Sequence, residues 1–431
     1  MDKMDFVTWL KQVEYRIEGI LIITALFGII APFTSLNTPF AQWVLGLESS
    51  WMSWNPSQLT HGNPLWMTLQ GVMLQLVYCL EYAFPTFFGT NNSFLVRFFL
   101  KVPLLALYLL SAFLFEETVK KYTNNDHQSK LAFYTHLANA PLFYTVAVWG
   151  SPEVVTWTFV LVALLLWLDG RDNPQVERIL VSGFFFGVGI SLHFFVVLLL
   201  PLFIYPKELK TGCLFLLGVA TSLAVVLGPW LFLFQGTAVE ANTQTFGFSI
   251  LWQSLVPSVA ESVLWVVLFG VVCYLYWRRP NQIKAGSFII VSLLVLTPNL
   301  KLSHFLIFSQ FILVFTFVLY QGKWTIRLPE FRYSPSQLTF SAPKTLVIVA
   351  PMFILTFVLL FMSYPTLEVF HISLIQVSSP GIFNQELTFR TELLAALGIL
   401  ISLLYIAVML FDEIMTFLNR STSRSTRHAK S

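Results

Sequence analysis

Long apolar runs of about 16 to 24 residues recur along the whole chain, and short polar stretches separate them. A helix of that length matches the ~30 Å hydrocarbon core of a bilayer. The runs are continuous rather than alternating, which speaks against a transmembrane β-barrel. The pattern therefore predicts an all-α polytopic membrane protein, a bundle of about 11 to 13 helices in a single domain over residues 1–420. Residues 421–431 are polar and basic and read as a disordered tail.

The runs fall into six excursions across the membrane. The first begins with a span at about 17–35 and continues into a loop rich in Trp, with Trp43, Trp51, Trp54 and Trp66. Trp favours the membrane interface, so part of this loop is expected to lie flat on the outer surface. Two apolar segments follow, about 64–84 and 95–117, and only one can cross fully if the chain is to return. The second excursion covers 131–169 and turns at Trp149-Gly150-Ser151-Pro152-Glu153. The third, 179–206, is only about 28 residues long where two full spans need about 40, so it reads as a re-entrant or short-helix hairpin with its tip near Ser191-Leu192-His193. The fourth uses 211–234 and 257–277, the fifth 285–299 and 304–320, the sixth 345–363 and 392–411. The fifth is also short, and turns at Thr297 to His304.

Charge sets the orientation. Of the 25 Lys and Arg residues, 21 fall into seven clusters between these excursions, from Lys3/Lys11/Arg16 to Arg420/Arg424/Arg427/Lys430. Basic residues gather on the cytoplasmic side, which places all seven clusters and both termini inside. Residues 1–16 lack the form of a cleavable signal. Composition agrees: hydrophobic residues make up 56% and charged residues 11%, against about 25% charged in a soluble domain. That excludes a soluble enzyme or a nucleic-acid binder. Three Cys residues exclude a disulfide scaffold and a four-Cys zinc site.

Ionisable groups left on the outer side are the candidates for chemistry, because they are expensive at membrane depth. Arg97 and Lys101 lie four apart on one helical face and can clamp a phosphate; the plainer reading is that they flank a span at the interface. Lys301 and His304 sit three apart at the tip of a short hairpin. Glu48 and His61 share the first outer loop, where a carboxylate can act as a general base or simply be solvated. Glu153 follows Pro152 at an outer tip, a position suited to closing the N-terminus of the next span. His193 stands among apolar neighbours, as a cavity-lining or a buried histidine. No His or Cys spacing supports a metal site, no cofactor is implied, and a divalent metal stays open. All these groups save the Arg97/Lys101 pair are expected to converge on one cavity.

These outer tips resemble the GT-C superfamily of glycosyltransferases that use polyprenyl- or dolichyl-phosphate sugars. Three stretches carry the likeness. The first runs from Leu137-Ala138-Asn139-Ala140-Pro141-Leu142 to Trp149-Gly150-Ser151-Pro152-Glu153 and on to Leu168-Asp169-Gly170-Arg171. The second runs from Ser182-Gly183-Phe184 through Gly187-Val188-Gly189-Ile190-Ser191-Leu192-His193 to Leu199-Leu200-Pro201-Leu202. The third is Lys301-Leu302-Ser303-His304-Phe305-Leu306. Asn63-Pro64-Leu65-Trp66 and the Arg97/Lys101 pair fall where the family carries a proline motif and a basic motif. The sequence departs from the family's pattern at Glu48, late in its loop, at Glu153 in place of Asp, and at His193 in place of Lys.

The resemblance implies a GT-C-like bundle that transfers a hexose, mannose-like, with inversion, from a lipid-linked sugar donor to a glycan, glycolipid or protein acceptor. Arg97, Lys101, Lys301 and His304 would hold the phosphate, and Glu48 with Glu153 would serve as the catalytic carboxylates. The site would face the outside or lumen of the plasma membrane or endoplasmic reticulum, in contact with membrane lipid and with no nucleic acid. Two other readings stay open: an inactive GT-C-like scaffold subunit with a membrane protein partner, and a transporter.

Overall fold

The computed structural model describes residues 6–33, 93–150, 153–172, 175–204, 208–233, 258–278, 302–327 and 339–363, together with a few isolated positions. The chain divides into two compact units. One comprises Met1–Thr243 with Leu360–Pro380, the other Gln244–Leu359 with Gly381–Ser431.

The first unit opens with α1, Phe6–Ile30, which ends in a 3-10 turn at Ala31–Phe33. Helix α2, Ser93–Thr123, is 31 residues long and covers the second of the two ambiguous segments in full. At 1.5 Å per residue it measures about 46 Å, longer than the ~30 Å core. The other segment, 64–84, lies almost wholly outside the described residues. Helix α2 ends where Asn124 turns left-handed at φ 49°, and the Asn125 side chain accepts from the backbone N–H groups of His127 and Gln128 to start α3, Asp126–Leu137. Asn suits both tasks, since it tolerates positive φ and caps helices well.

The arm that follows is broken. Helix α3 stops at Leu137, Asn139 caps the short helix α4 at Ala140–Tyr144, and a π turn runs over Thr145–Trp149. Gly150 then adopts φ 63°, ψ 33°, a left-handed conformation that suits a residue without Cβ, and the chain turns back into α5, Glu153–Asp172. The turn expected at Trp149–Glu153 is therefore where the chain reverses. Contacts along α2 and α5 rise together: Thr158 bonds the Leu107 carbonyl, and Lys121 pairs with Asp169. The two helices thus run parallel.

Helix α6, Val176–Leu192, ends at an extended His193, and a 3-10 helix follows over Phe194–Leu202. The hairpin expected at 179–206 is thus one α-helix and one 3-10 arm, not two straight α-helical spans. A 3-10 helix rises about 2.0 Å per residue against 1.5 Å for an α-helix, so the arm covers more length with fewer residues. It returns the chain to the start of α7, Leu209–Leu233, which packs parallel to α6. Backbones touch along this seam: a Cβ added at Gly183 would stand 2.0 Å from the Phe215 carbonyl oxygen, and one at Gly218 would stand 2.1 Å from that of Leu180. Gly183 and Gly187 form the small-xxx-small spacing that lets membrane helices approach this closely.

The second unit holds α8, Ser258–Arg278, α9, Leu302–Leu319, and α10, Lys344–Ser363, up to Leu359. Between α9 and α10 lies an antiparallel strand pair, β1 Lys323–Arg327 and β2 Thr339–Pro343, in register from Lys323 opposite Pro343 to Arg327 opposite Thr339. The apolar pattern predicts helices alone, and this strand pair is an addition to them. Among the described residues, three helical stretches are long and apolar enough to cross a membrane: Phe98–Thr123, Glu153–Gly170 and Leu209–Val226.

Candidate functional site

Opposite charges meet at one end of the first unit. Arg16 of α1 pairs with Glu116 of α2 at 2.9 Å, Lys120 with Asp126 at 3.2 Å, and Asp169 of α5 takes both Lys121 and Arg178, the latter at 3.4 Å. Three of the basic clusters found in the sequence, those of Arg16, Lys120/Lys121 and Arg178, therefore share one end of the helices, tied together by acids.

Lys101 stands 20 residues before Lys121 on α2, about 30 Å along the helix axis. It is fully buried. Its ammonium donates to the carbonyl of Ala31, at 3.2 Å, and to those of Ala147 and Val148, at 2.8 and 3.0 Å. An ammonium has three N–H donors, and these three carbonyls are among its acceptors. The carbonyls come from the end of α1 and from the π turn, where backbone acceptors carry partial negative charge that a cation offsets. The sequence placed this amine on a phosphate or at an interface; the structure places it inside, on the ends of two elements.

Glu153 is the first residue of α5 and is likewise buried. It lies in the first turn, where the helix macrodipole favours a carboxylate, in keeping with the closing position read from the sequence. It follows Val148 by five positions, so the carboxylate and the Lys101 ammonium belong to the same end of the unit, away from the ion pairs. Arg97 lies on α2 one turn before Lys101. His193 is half-buried at the junction of α6 and the 3-10 arm, with its N–H donating to the Gly189 carbonyl at 2.9 Å. His304 lies in the first turn of α9, in the second unit. Glu48, His61 and Lys301 fall outside the described residues. The structure thus brings Lys101 and Glu153 to one end of one unit; the expected convergence with Glu48, His61 and Lys301 lies outside the described residues.

A cluster that sequence reasoning passed over lies between these ends. His136 is fully buried between the rings of Tyr108 and Phe115, with centroids 5.6 and 5.4 Å away. Ser111 Oγ donates to the Tyr108 carbonyl at 2.7 Å and lies 2.8 Å from His136 Nε2. The hydroxyl and Nε2 thus share one hydrogen bond, whose direction follows the tautomer of the ring. The Tyr108 hydroxyl reaches the carbonyls of His136 and Leu137 at 2.9 and 3.0 Å, where α3 stops. Its role is to supply a donor at the break. The one sequence signal was a Tyr, a Ser and a His standing inside apolar runs. Replacing Tyr108 with Phe keeps the ring and removes that donor. We expect a loss of about 1–3 kcal/mol, the usual cost of an unmet buried acceptor, read as a lower unfolding midpoint in detergent. An unchanged midpoint would mean that water or another donor serves these carbonyls.

Compared with known proteins, the chain matches no family model and no curated protein.

Proposed function

We propose that the chain is a polytopic GT-C-like membrane glycosyltransferase, whose site lies at the end of the first unit away from its basic ion pairs. The observation that carries this reading is the buried Glu153, set in the first turn of α5 directly after the left-handed turn at Gly150. There the helix macrodipole favours the charged carboxylate, at the same end of the unit as the Lys101 ammonium. In this reading the donor is a polyprenyl-phosphate hexose, reached from the membrane of the plasma membrane or endoplasmic reticulum. Arg97 holds its phosphate and stabilises it as it leaves. Glu48 accepts the proton of the acceptor hydroxyl while that oxygen bonds the anomeric carbon. The bond from the anomeric carbon to the phosphate oxygen breaks with its electron pair on the phosphate, and one displacement inverts the centre.

The test is transfer of radiolabelled hexose from polyprenyl-phosphate donors by membranes carrying the protein. Glu48→Gln is expected to lower transfer about 10²-fold or more, as loss of a general base does. Transfer at the wild-type rate removes Glu48 from that role.

One observation favours a second reading, the non-catalytic scaffold subunit: Lys101, a cation the resemblance assigns to the phosphate, is buried on backbone carbonyls. A wild-type protein that transfers no sugar from several donors, yet co-purifies with a membrane protein partner, would decide for the scaffold.

A further inference from the structure

One stripe of α2 faces the broken arm that runs from Asp126 to Trp149. Lys101, Leu104, Tyr108, Ser111 and Phe115 follow each other at steps of three and four, which keeps them on one side of a helix, and all five are fully buried. Three of them are polar, and polar groups at membrane depth need partners. They find them on the arm. The Tyr108 hydroxyl reaches the carbonyls of His136 and Leu137 at 2.9 and 3.0 Å, and Ser111 lies 2.8 Å from the His136 ring. About two turns away on the same stripe, the Lys101 ammonium bonds the carbonyls of Ala147 and Val148 at 2.8 and 3.0 Å.

Covalent chemistry explains why these carbonyls need donors from outside the arm. In an α-helix the Leu137 carbonyl takes the N–H four positions on, which belongs to Pro141 and does not exist. Pro152 stands four positions after Val148 and five after Ala147, and as a proline it has no N–H for the α pairing of the one or the π pairing of the other. The arm is also less apolar than its neighbours, with Tyr134, Thr135, His136, Asn139, Tyr144 and Thr145 in its path. On either side, α2 and α5 hold stretches long and apolar enough to cross a membrane, Phe98–Thr123 and Glu153–Gly170, while the arm between them holds none. We infer that α2 is the template for this arm: Tyr108 and Lys101 supply the donors that its backbone lacks, so the arm crosses the membrane only against α2. An unmet carbonyl in hydrocarbon is costly enough to decide where such a marginal segment goes. This role follows from the chain spanning a membrane and from no enzymatic activity.

Two exposed positions flank the arm and α5: His127 at the start of α3, and Gln175 just before α6. They stand on one side of the membrane when the arm crosses and α5 returns. They stand on opposite sides when the arm stays behind and α5 alone crosses. Full-length chains with Cys79, Cys213 and Cys273 replaced by Ser carry one reporter each, His127→Cys or Gln175→Cys. They are synthesised in a cell-free system with sealed membrane vesicles and labelled at once with a membrane-impermeant maleimide, so turnover of a poorly folded variant does not hide the outcome. In the otherwise unchanged chain both reporters are expected to label. With Tyr108→Phe and Lys101→Met together, Gln175→Cys is expected to become protected in about half of the chains or more, and to label once detergent opens the vesicles.

Charge does not account for such a flip. Lys101 lies at the end away from the basic ion pairs, and removing a cation there favours the normal orientation by the charge rule alone. Two further variants separate lost donors from general damage. Pro141→Ala returns an N–H one turn after Leu137, and added to the double variant it is expected to reduce the protected share about twofold. Thr158→Val removes the bond from α5 to the Leu107 carbonyl and leaves the arm's donors in place, so it is expected to keep both reporters on one side. The inference is overturned by a double variant with both reporters still on one side, by a Thr158→Val chain that flips as often as the double variant, or by a protected share that Pro141→Ala leaves unchanged. Reporters on opposite sides in the otherwise unchanged chain overturn it as well, since the arm then does not cross at all.

Discussion

Replacing Gly183 with Val is expected to keep the first unit from closing. A Cβ at this position would lie 2.0 Å from the Phe215 carbonyl oxygen, and the one at Gly218 would lie 2.1 Å from the Leu180 carbonyl oxygen. Both obstacles are backbone atoms, so no side-chain rotation relieves the overlap. Helices α6 and α7 must move apart, and that opens the seam along Gly187 and Ser222 as well, where a Cβ at Gly187 would stand 2.7 Å from the Ser222 Cβ. Overpacking costs typically about 1–3 kcal/mol and sometimes more. With backbone on both sides, the upper end of that range or beyond is expected, against a total stability of about 5–15 kcal/mol. The readout is the unfolding midpoint in detergent together with the amount of protein in the membrane. Gly28→Ala and Gly270→Ala serve as controls, since a Cβ at either position meets nothing within 4 Å. They are expected to stay within about 0.5 kcal/mol of wild type. A Gly183→Val protein that melts with these controls would refute the close seam.

Arg16→Met is expected to cost more than Glu116→Leu, although the two remove the same ion pair. The Arg16 side chain is 32% exposed and the Glu116 side chain 7%. Without Glu116 the guanidinium keeps water at one side and the Phe113 ring 5.5 Å away. Without Arg16 the carboxylate keeps its buried position and loses its cation. Breaking a buried pair by removing one partner costs about 3–5 kcal/mol, because the remaining charge still bears its desolvation penalty. We expect roughly 3 kcal/mol for Arg16→Met, about 1 kcal/mol for Glu116→Leu, and a double variant less harmed than Arg16→Met alone. Chemical denaturation of the four proteins completes the cycle. Equal single losses that add in the double would show that the pair contributes nothing beyond its parts.

Helix positions were legible because apolar runs stop where charge or turn residues start. The segments expected at 211–234, 257–277, 304–320 and 345–363 are α7, α8, α9 and α10, each within a few residues of its bounds. The turn at Trp149–Glu153 was legible through Gly150 and Pro152, which end helices for local reasons. Three features were not. The strand pair flanking residues 328–338 sits among Lys323, Arg327 and Arg332, and five-residue strands give too short an alternation to stand out from a basic loop. Pro141 and the Asn139 cap mark the break after Leu137 locally, but the donor that serves the carbonyls there, Tyr108, is 29 positions away and outside any local window. Lys101 was visible as an isolated cation, but its partners are distant carbonyls, and backbone acceptors leave no mark in a sequence. Of the site, the sequence could show which residues are unusual; which of them meet is a matter of long-range packing. Glu153 was readable because closing a helix start is a local task.

The seam between α6 and α7 also has a timetable. Gly183 leaves the ribosome about 35 residues before Gly218, which at roughly 5–20 residues per second is an interval of about two to seven seconds. Throughout it, α6 holds a glycine-lined backbone stripe whose partner on α7 is still being made. The nascent chain must keep that stripe from other small-residue helices in the same bilayer, while α5 already grips α6 through the Ser182 hydroxyl on the Ala163 carbonyl at 2.6 Å. A pause in translation between the two glycines would lengthen the exposure, so the speed of synthesis across the 3-10 arm bears on how much of the chain reaches its folded form.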